Sequence, residues 1–199
     1  MKLLVGLGNP GRRYAGTRHN VGFRVLESFS RAHHLTLDSE RFGGRFGRGR
    51  VSAPDADVVD VGLLEPQTYM NLSGDSVAEA LAMLPVGDSA EDLLVVVDDV
   101  DLPFGRLRVR PSGGSGGHRG LAHIIERLQR KGFSRLRFGV GRPAGPIETA
   151  DHVLMGFSEE EEQALPAHLE RAVAALESFL FEGPERVMNR FNPDPPSEV

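Results

Sequence analysis

Residues 3–32, LLVGLGNPGRRYAGTRHNVGFRVLESFSRA, pass from a strand through a loop into a helix. Leu3, Leu4 and Val5 make a short apolar run, Gly8-Asn9-Pro10-Gly11 turns the chain, and Val21, Val25, Phe29 and Ala32 recur at helical spacing. Related units follow downstream. Residues 45–53 and 58–64 flank Pro54-Asp55-Ala56-Asp57 and read as a hairpin. Ser73 is a candidate N-cap for a helix with Val77, Leu81 and Leu84 on its apolar face. Leu93–Val97 is an unbroken apolar run, the pattern of a strand covered on both faces. Residues 106–110 alternate as a half-exposed strand. The glycine cluster 113–120 opens a helix buried through Leu121, Ile124, Ile125 and Leu128, and residues 135–140 return as a strand. A last helix is expected over Glu159–Phe181. These elements predict an α/β fold, a single domain over residues 1–191 with a twisted mixed sheet flanked by helices, and a disordered Pro-rich tail over 192–199.

A chain of 199 residues fits one domain with a sizeable core. The longest stretches without a charged side chain, Leu3–Gly11 and Pro66–Gly74, are nine residues each, which excludes a helical membrane span of about 20. Lys2 is followed by too few apolar residues for a secretory core. The chain has no cysteine, so disulfides, zinc-thiolate sites and a Cys nucleophile are excluded, and a cytoplasmic location is expected. The net charge of −5 conceals four blocks: residues 1–50 carry 10 basic and 3 acidic side chains, 51–105 carry 0 and 12, 106–142 carry 10 and 1, and 143–199 carry 3 and 12. If the basic blocks share a face, an acidic protein acquires a surface suited to phosphate; otherwise they are solvated arginines.

Gly6-Leu7-Gly8-Asn9-Pro10-Gly11 fits G-x-G-x-x-G, so a dinucleotide site is one reading. The match is weak, because Arg12–Gly16 separate the loop from the helix and no well-placed acidic residue follows. The loop does bring Asn9 to the end of a strand and His19-Asn20 to a helix start, while Asp98 ends the buried strand. Ligands of open α/β sheets collect at such carboxyl ends. A carboxylate bonded to an imidazole fixes its tautomer and lets the other nitrogen take a proton from water, a hydrolase pairing. Asp98-Asp99-Val100-Asp101 could instead hold Mg²⁺, or Asp99 and Asp101 could solvate a turn; no second carboxylate or His cluster supports the metal. Glycines 113–117 before a helix suit an anion or an RNA backbone, and Arg108, Arg110 and Arg137 add guanidinium groups.

Five segments in order, GLGNPGRRYAGTRHNVGF, EPQTYMNLSG, VVVDDVDLPFG, GGSGGHRGL and SRLRFGVGRP, give the chain a resemblance to the bacterial peptidyl-tRNA hydrolases over essentially its whole length. The resemblance implies a monomeric, cytoplasmic enzyme that needs no metal or cofactor. It would cleave the ester between a peptide and the 3′ end of tRNA, freeing the tRNA for translation. It implies that His19 is the catalytic histidine and Asp98 the carboxylate orienting it. Asn9 and Asn71 would position substrate and water, with Tyr69 and Met70 beside the cleft and His118 beside the substrate. Arg110 and Arg137 would grip the tRNA 5′-phosphate. One position departs from the pattern: Arg119 stands where the family usually has asparagine, and a guanidinium donates only. The family also includes non-catalytic RNA-binding relatives, and the departure keeps that reading open.

Overall fold

Leu3, Leu4 and Val5 are fully buried because the strand they form, β1 (Lys2–Gly6), lies fourth in a seven-stranded sheet. The computed structural model describes residues 1–54, 56–143 and 145–193. The remaining strands are β2 (Ser39–Arg41), β3 (Gly44–Val51), β4 (Val59–Pro66), β5 (Leu93–Asp99), β6 (Leu107–Arg110) and β7 (Ser134–Gly139), and they lie in the order β2-β3-β4-β1-β5-β7-β6. Strands β4, β1, β5 and β7 run parallel; β2, β3 and β6 pair antiparallel at the edges. The expected hairpin is β3–β4, and Asp55 of its turn lies outside the described residues.

Alternation along the central strands feeds two cores. Leu4, Leu94 and Val96 face one, filled by α1 (Val21–Ala32), α5 (Glu159–Glu182) and α6 (Pro184–Phe191); Leu3, Val5, Leu93, Val95 and Val97 face the other, under α2 (Ser73–Met83) and α3 (Arg119–Leu128). Both faces are therefore covered, which is why Leu93–Val97 reads as a continuous apolar run. Strand β6 alternates buried and exposed as an edge should.

Four expectations change. The short strand β2, the helix α4 (Thr149–Val153) and α6 are additional to the predicted elements. Ser73 is not an N-cap: it is the first residue of α2, and its buried hydroxyl donates to the Met70 carbonyl at 2.9 Å, across the preceding helical turn. The tail does not begin at 192, since Asn192 bonds both the N–H and the carbonyl of Val109 and so closes the free edge of β6; residues 194–199 lie outside the described residues. Part of the first basic block stands away from the second. Strand β3 with Arg45 and Arg48 occupies the opposite side of the sheet from β6 and β7, and its arginines pair with Glu65 and Asp60 of the acidic block.

Candidate active site

The parallel strands end together at one edge of the sheet, and the first turns of α1 and α3 meet them there. Asp98, 4% exposed, is the next-to-last residue of β5. His19 lies in the helical turn Arg18–Asn20 that leads into α1. Glycine is required at 22: a Cβ there would come within 2.5 Å of the Leu7 backbone and 2.6 Å of the Val96 carbonyl. Its absence lets α1 press onto β1 and β5 and delivers His19 to Asp98, with Nδ1 2.7 Å from Oδ1. A second imidazole reaches the same oxygen, His118 Nε2 at 3.0 Å. Burial by itself would raise the Asp98 pKa, but the hydrogen bonds from His118 and His19 outweigh it and hold the carboxyl well below the usual range.

The hydrogen bonds assign the ring protons. Leu121 N–H donates to His118 Nδ1 at 3.2 Å, so neutral His118 carries its proton on Nε2 and gives it to Asp98. His118 is the side-chain N-cap of α3. Both its nitrogens are thus engaged within the protein. His19 donates through Nδ1, and its Nε2 makes no hydrogen bond among the described residues. His19 Nδ1, Asp98 Oδ1 and His118 Nε2 lie within 4.8 Å of one another, a donor set that could hold a metal ion. The protonation pattern does not suit one: an ion on His118 Nε2 would move the ring proton to Nδ1, directly against Leu121 N–H. The rest of the acidic run is engaged too, Asp99 with Arg137 and Asp101 with Arg142.

Asn9 follows β1, and its Oδ1 accepts from Met70 N–H at 2.8 Å, which ties the loop after β1 to the turn Met70–Leu72. Its Nδ2 makes no hydrogen bond among the described residues. Asn20 completes the arrangement: its Oδ1 accepts from Asn9 N–H and its Nδ2 donates to the Asn9 carbonyl, both at 2.9 Å. This buried amide was visible in the sequence only as a helix-start residue, because its target lies eleven positions away on another element. The glycine loop after β1 also lacks the helix start that a pyrophosphate would need, since α1 begins only at Val21, ten residues after Gly11. A cleft of about 510 Å³ joins Asn9, His19, Tyr69, Asn71, Asp98 and Arg119, and α4 forms a further wall through Thr149, Ala150 and Val153. That wall is fastened beside His19: Thr17 bridges to Gly156, Arg18 N–H bonds the Met155 carbonyl at 3.0 Å, and the Arg18 guanidinium holds Glu161 at 2.6 Å.

The glycine loop before α3 faces arginines with its carbonyls. Gly113 accepts from Arg135 at 2.6 Å, and Ser115 and Gly114 accept from Arg137 at 2.9 and 3.3 Å. Gly116 has φ +60°, and a Cβ there would sit 2.9 Å from the Arg137 guanidinium. Arg137 also pairs with Asp99 at 3.0 Å, so it is less available to a ligand than expected. Burial, with the charge of Arg137, pushes the Arg135 pKa down to about 10. Arg108, Arg110, Arg135 and Arg137 line a second cleft of about 390 Å³, which shares Asp99, Asp101 and Arg137 with the first. Arg108, Arg110 and Arg119 make no ion pair among the described residues.

Residues 3–198 match the family described as peptidyl-tRNA hydrolase. The chain is 46% identical over 193 residues to the peptidyl-tRNA hydrolase of Chloroflexus aggregans, covering 97% of this chain and 100% of that one. Against the peptidyl-tRNA hydrolase of Symbiobacterium thermophilum it is 47% identical over 191 residues, 96% and 98% of the two chains. The crystal structure of peptidyl-tRNA hydrolase from Acinetobacter baumannii superimposes with a TM-score of 0.83 at 34% identity, covering 99% of this chain and 97% of that one.

Proposed function

The chain belongs to the peptidyl-tRNA hydrolase family, and on that premise we propose that it hydrolyses the ester between a peptide and the 3′ end of tRNA by direct attack of water. The observation that carries this reading is the 2.7 Å bond from His19 Nδ1 to Asp98, which leaves Nε2 as the nitrogen able to act in the cleft. Nε2 takes a proton from water as its oxygen attacks the carbonyl carbon, and Asp98 stabilises the imidazolium. Amide donors of Asn9 and Asn71 meet the carbonyl oxygen as it gains charge. The imidazolium then returns the proton to the ribose oxygen as the ester C–O bond breaks. The intact His19–Asp98 pair favours this hydrolase over a non-catalytic RNA-binding relative.

The acceptor end enters past Tyr69, whose exposed ring offers a stacking surface to the terminal base. Arg110, with Arg108 and the anchored Arg137 behind it, receives the 5′-phosphate in the second cleft, and Arg119 receives a phosphate near the 3′ end. The resemblance also implies a monomer, and a tRNA substrate fits an enzyme that works with translation in the cytoplasm. The test is hydrolysis of N-acetyl-aminoacyl-tRNA beside the unblocked ester. Wild type cleaves the blocked ester preferentially, and His19→Ala loses at least about 10²-fold in kcat while still binding tRNA. Turnover by His19→Ala within a few-fold of wild type would remove His19 as the base.

A further inference from the structure

We infer that His118 acts through Asp98 as a positioning residue and makes no hydrogen bond to substrate. The inference rests on the hydrolase reading above and concerns what holds the carboxylate in place. His118 is 8% exposed and spends each nitrogen on the protein: Nδ1 accepts Leu121 N–H at 3.2 Å, and Nε2 donates to Asp98 Oδ1 at 3.0 Å. The two bonds are coupled. Because the first amides of α3 require an acceptor, the cap fixes the neutral tautomer with its proton on Nε2, the tautomer that can donate to the carboxylate. The start of α3 thereby sets the orientation of a residue on β5, and Asp98 turns the same oxygen to His19. Asp98 supplies one charge to two imidazoles, so the bond from His118 also restrains how strongly Asp98 attracts the His19 imidazolium.

His118→Asn separates the two functions, since an asparagine at the N-cap still accepts a helix N–H but its side chain is too short to reach Asp98. Around the cleft the other titratable and charged groups are Tyr14, Tyr69, Asp99, Asp101, Arg119 and Arg137; all remain in the variant. We expect kcat for N-acetyl-aminoacyl-tRNA to fall about tenfold as Asp98 loses one of its two restraints. KM and tRNA affinity should stay within about twofold, as for a residue making no uniform binding contact. The acid limb of the kcat/KM profile should move up by about one pH unit, because Asp98 then bonds the imidazolium alone. A raised KM with kcat and the acid limb unmoved overturns the inference, and it does so without touching the hydrolase reading, which stands or falls on His19→Ala. If the variant does not fold, nitrogen-15 NMR of the wild-type histidines decides. A His118 proton on Nε2 whose signals stay fixed when tRNA binds supports the inference, and a proton on Nδ1 or a change in the ring's hydrogen bonding with tRNA overturns it.

Discussion

Glu65 carries a buried carboxylate on β4 whose Oε2 meets Arg45 at 3.0 Å, while Oε1 has no hydrogen-bond partner among the described residues. Burial pushes its pKa up to about 8, against the attraction of Arg45 and with the repulsion of Glu27 adding to it. The folded chain therefore holds this proton more tightly than the unfolded chain. The associated stability is fully present below the ordinary carboxylate range and is lost as pH rises through about 8. Glu65→Gln should melt roughly 5 °C higher than wild type at pH 9 and differ little at pH 5, and equal shifts at both pH values would show that the carboxyl is not the cause. Arg119 stands where the resemblance leads one to expect asparagine. It lines the cleft and makes no ion pair among the described residues, at the first position of α3 where helix amides already favour anions. Arg119→Asn should weaken tRNA binding and lower its salt dependence with kcat nearly intact. A lower kcat with an unchanged salt slope would assign it instead to the chemical step.

Among the elements, α2 shows how a helix start can be secured without its own cap. Ser73 Oγ donates backwards to the Met70 carbonyl, and Gly74 N–H finds its acceptor on another helix, His123 Nδ1 at 3.0 Å. The turn Met70–Leu72 that carries Asn71 is thus held from below by Ser73 and from the side by Asn9. Ser73→Ala should cost about 1 kcal/mol of stability, read as a lower Tm, with turnover reduced less than twofold. Because the hydroxyl proton is committed to a buried carbonyl, this serine is not placed as a nucleophile; a peptidyl adduct on Ser73 by mass spectrometry would reverse that conclusion. Helix α4 plays the complementary part, its wall of the cleft fixed through Met155 and Gly156 to the residues just before His19.

At the scale of the whole molecule, the sheet sorts the charges. On the β3 side Arg48 pairs with Asp60 and Arg45 meets Glu27 and Glu65, whereas Arg108 and Arg110 stand beside the second cleft with no ion pair among the described residues. Arg110→Ala should raise KM more than it lowers kcat and reduce the salt slope of tRNA binding by about one, whereas Arg48→Ala, which breaks only the pair with Asp60, should leave that slope unchanged. Equal effects of Arg110→Ala on tRNA lacking its 5′-phosphate would remove the proposed clamp. Local pattern determined much by itself: the apolar runs of β1 and β5, the β3–β4 hairpin, and His19 and Asp98 at a helix start and a strand end follow from side-chain periodicity and turn chemistry, which act over a few residues. The resemblance of five motifs then pointed to the reaction. Tertiary structure alone decided which side chains satisfy one another. Asn20 pairs with the Asn9 backbone, His118 spends both nitrogens on Leu121 and Asp98, Arg137 is claimed by Asp99, and α6 ends on Asn192 bonded to β6. Each of these is a buried or half-buried polar group that finds its partner within the fold, and the partner is set by strand order and helix placement across tens of residues, a distance over which sequence periodicity carries no signal.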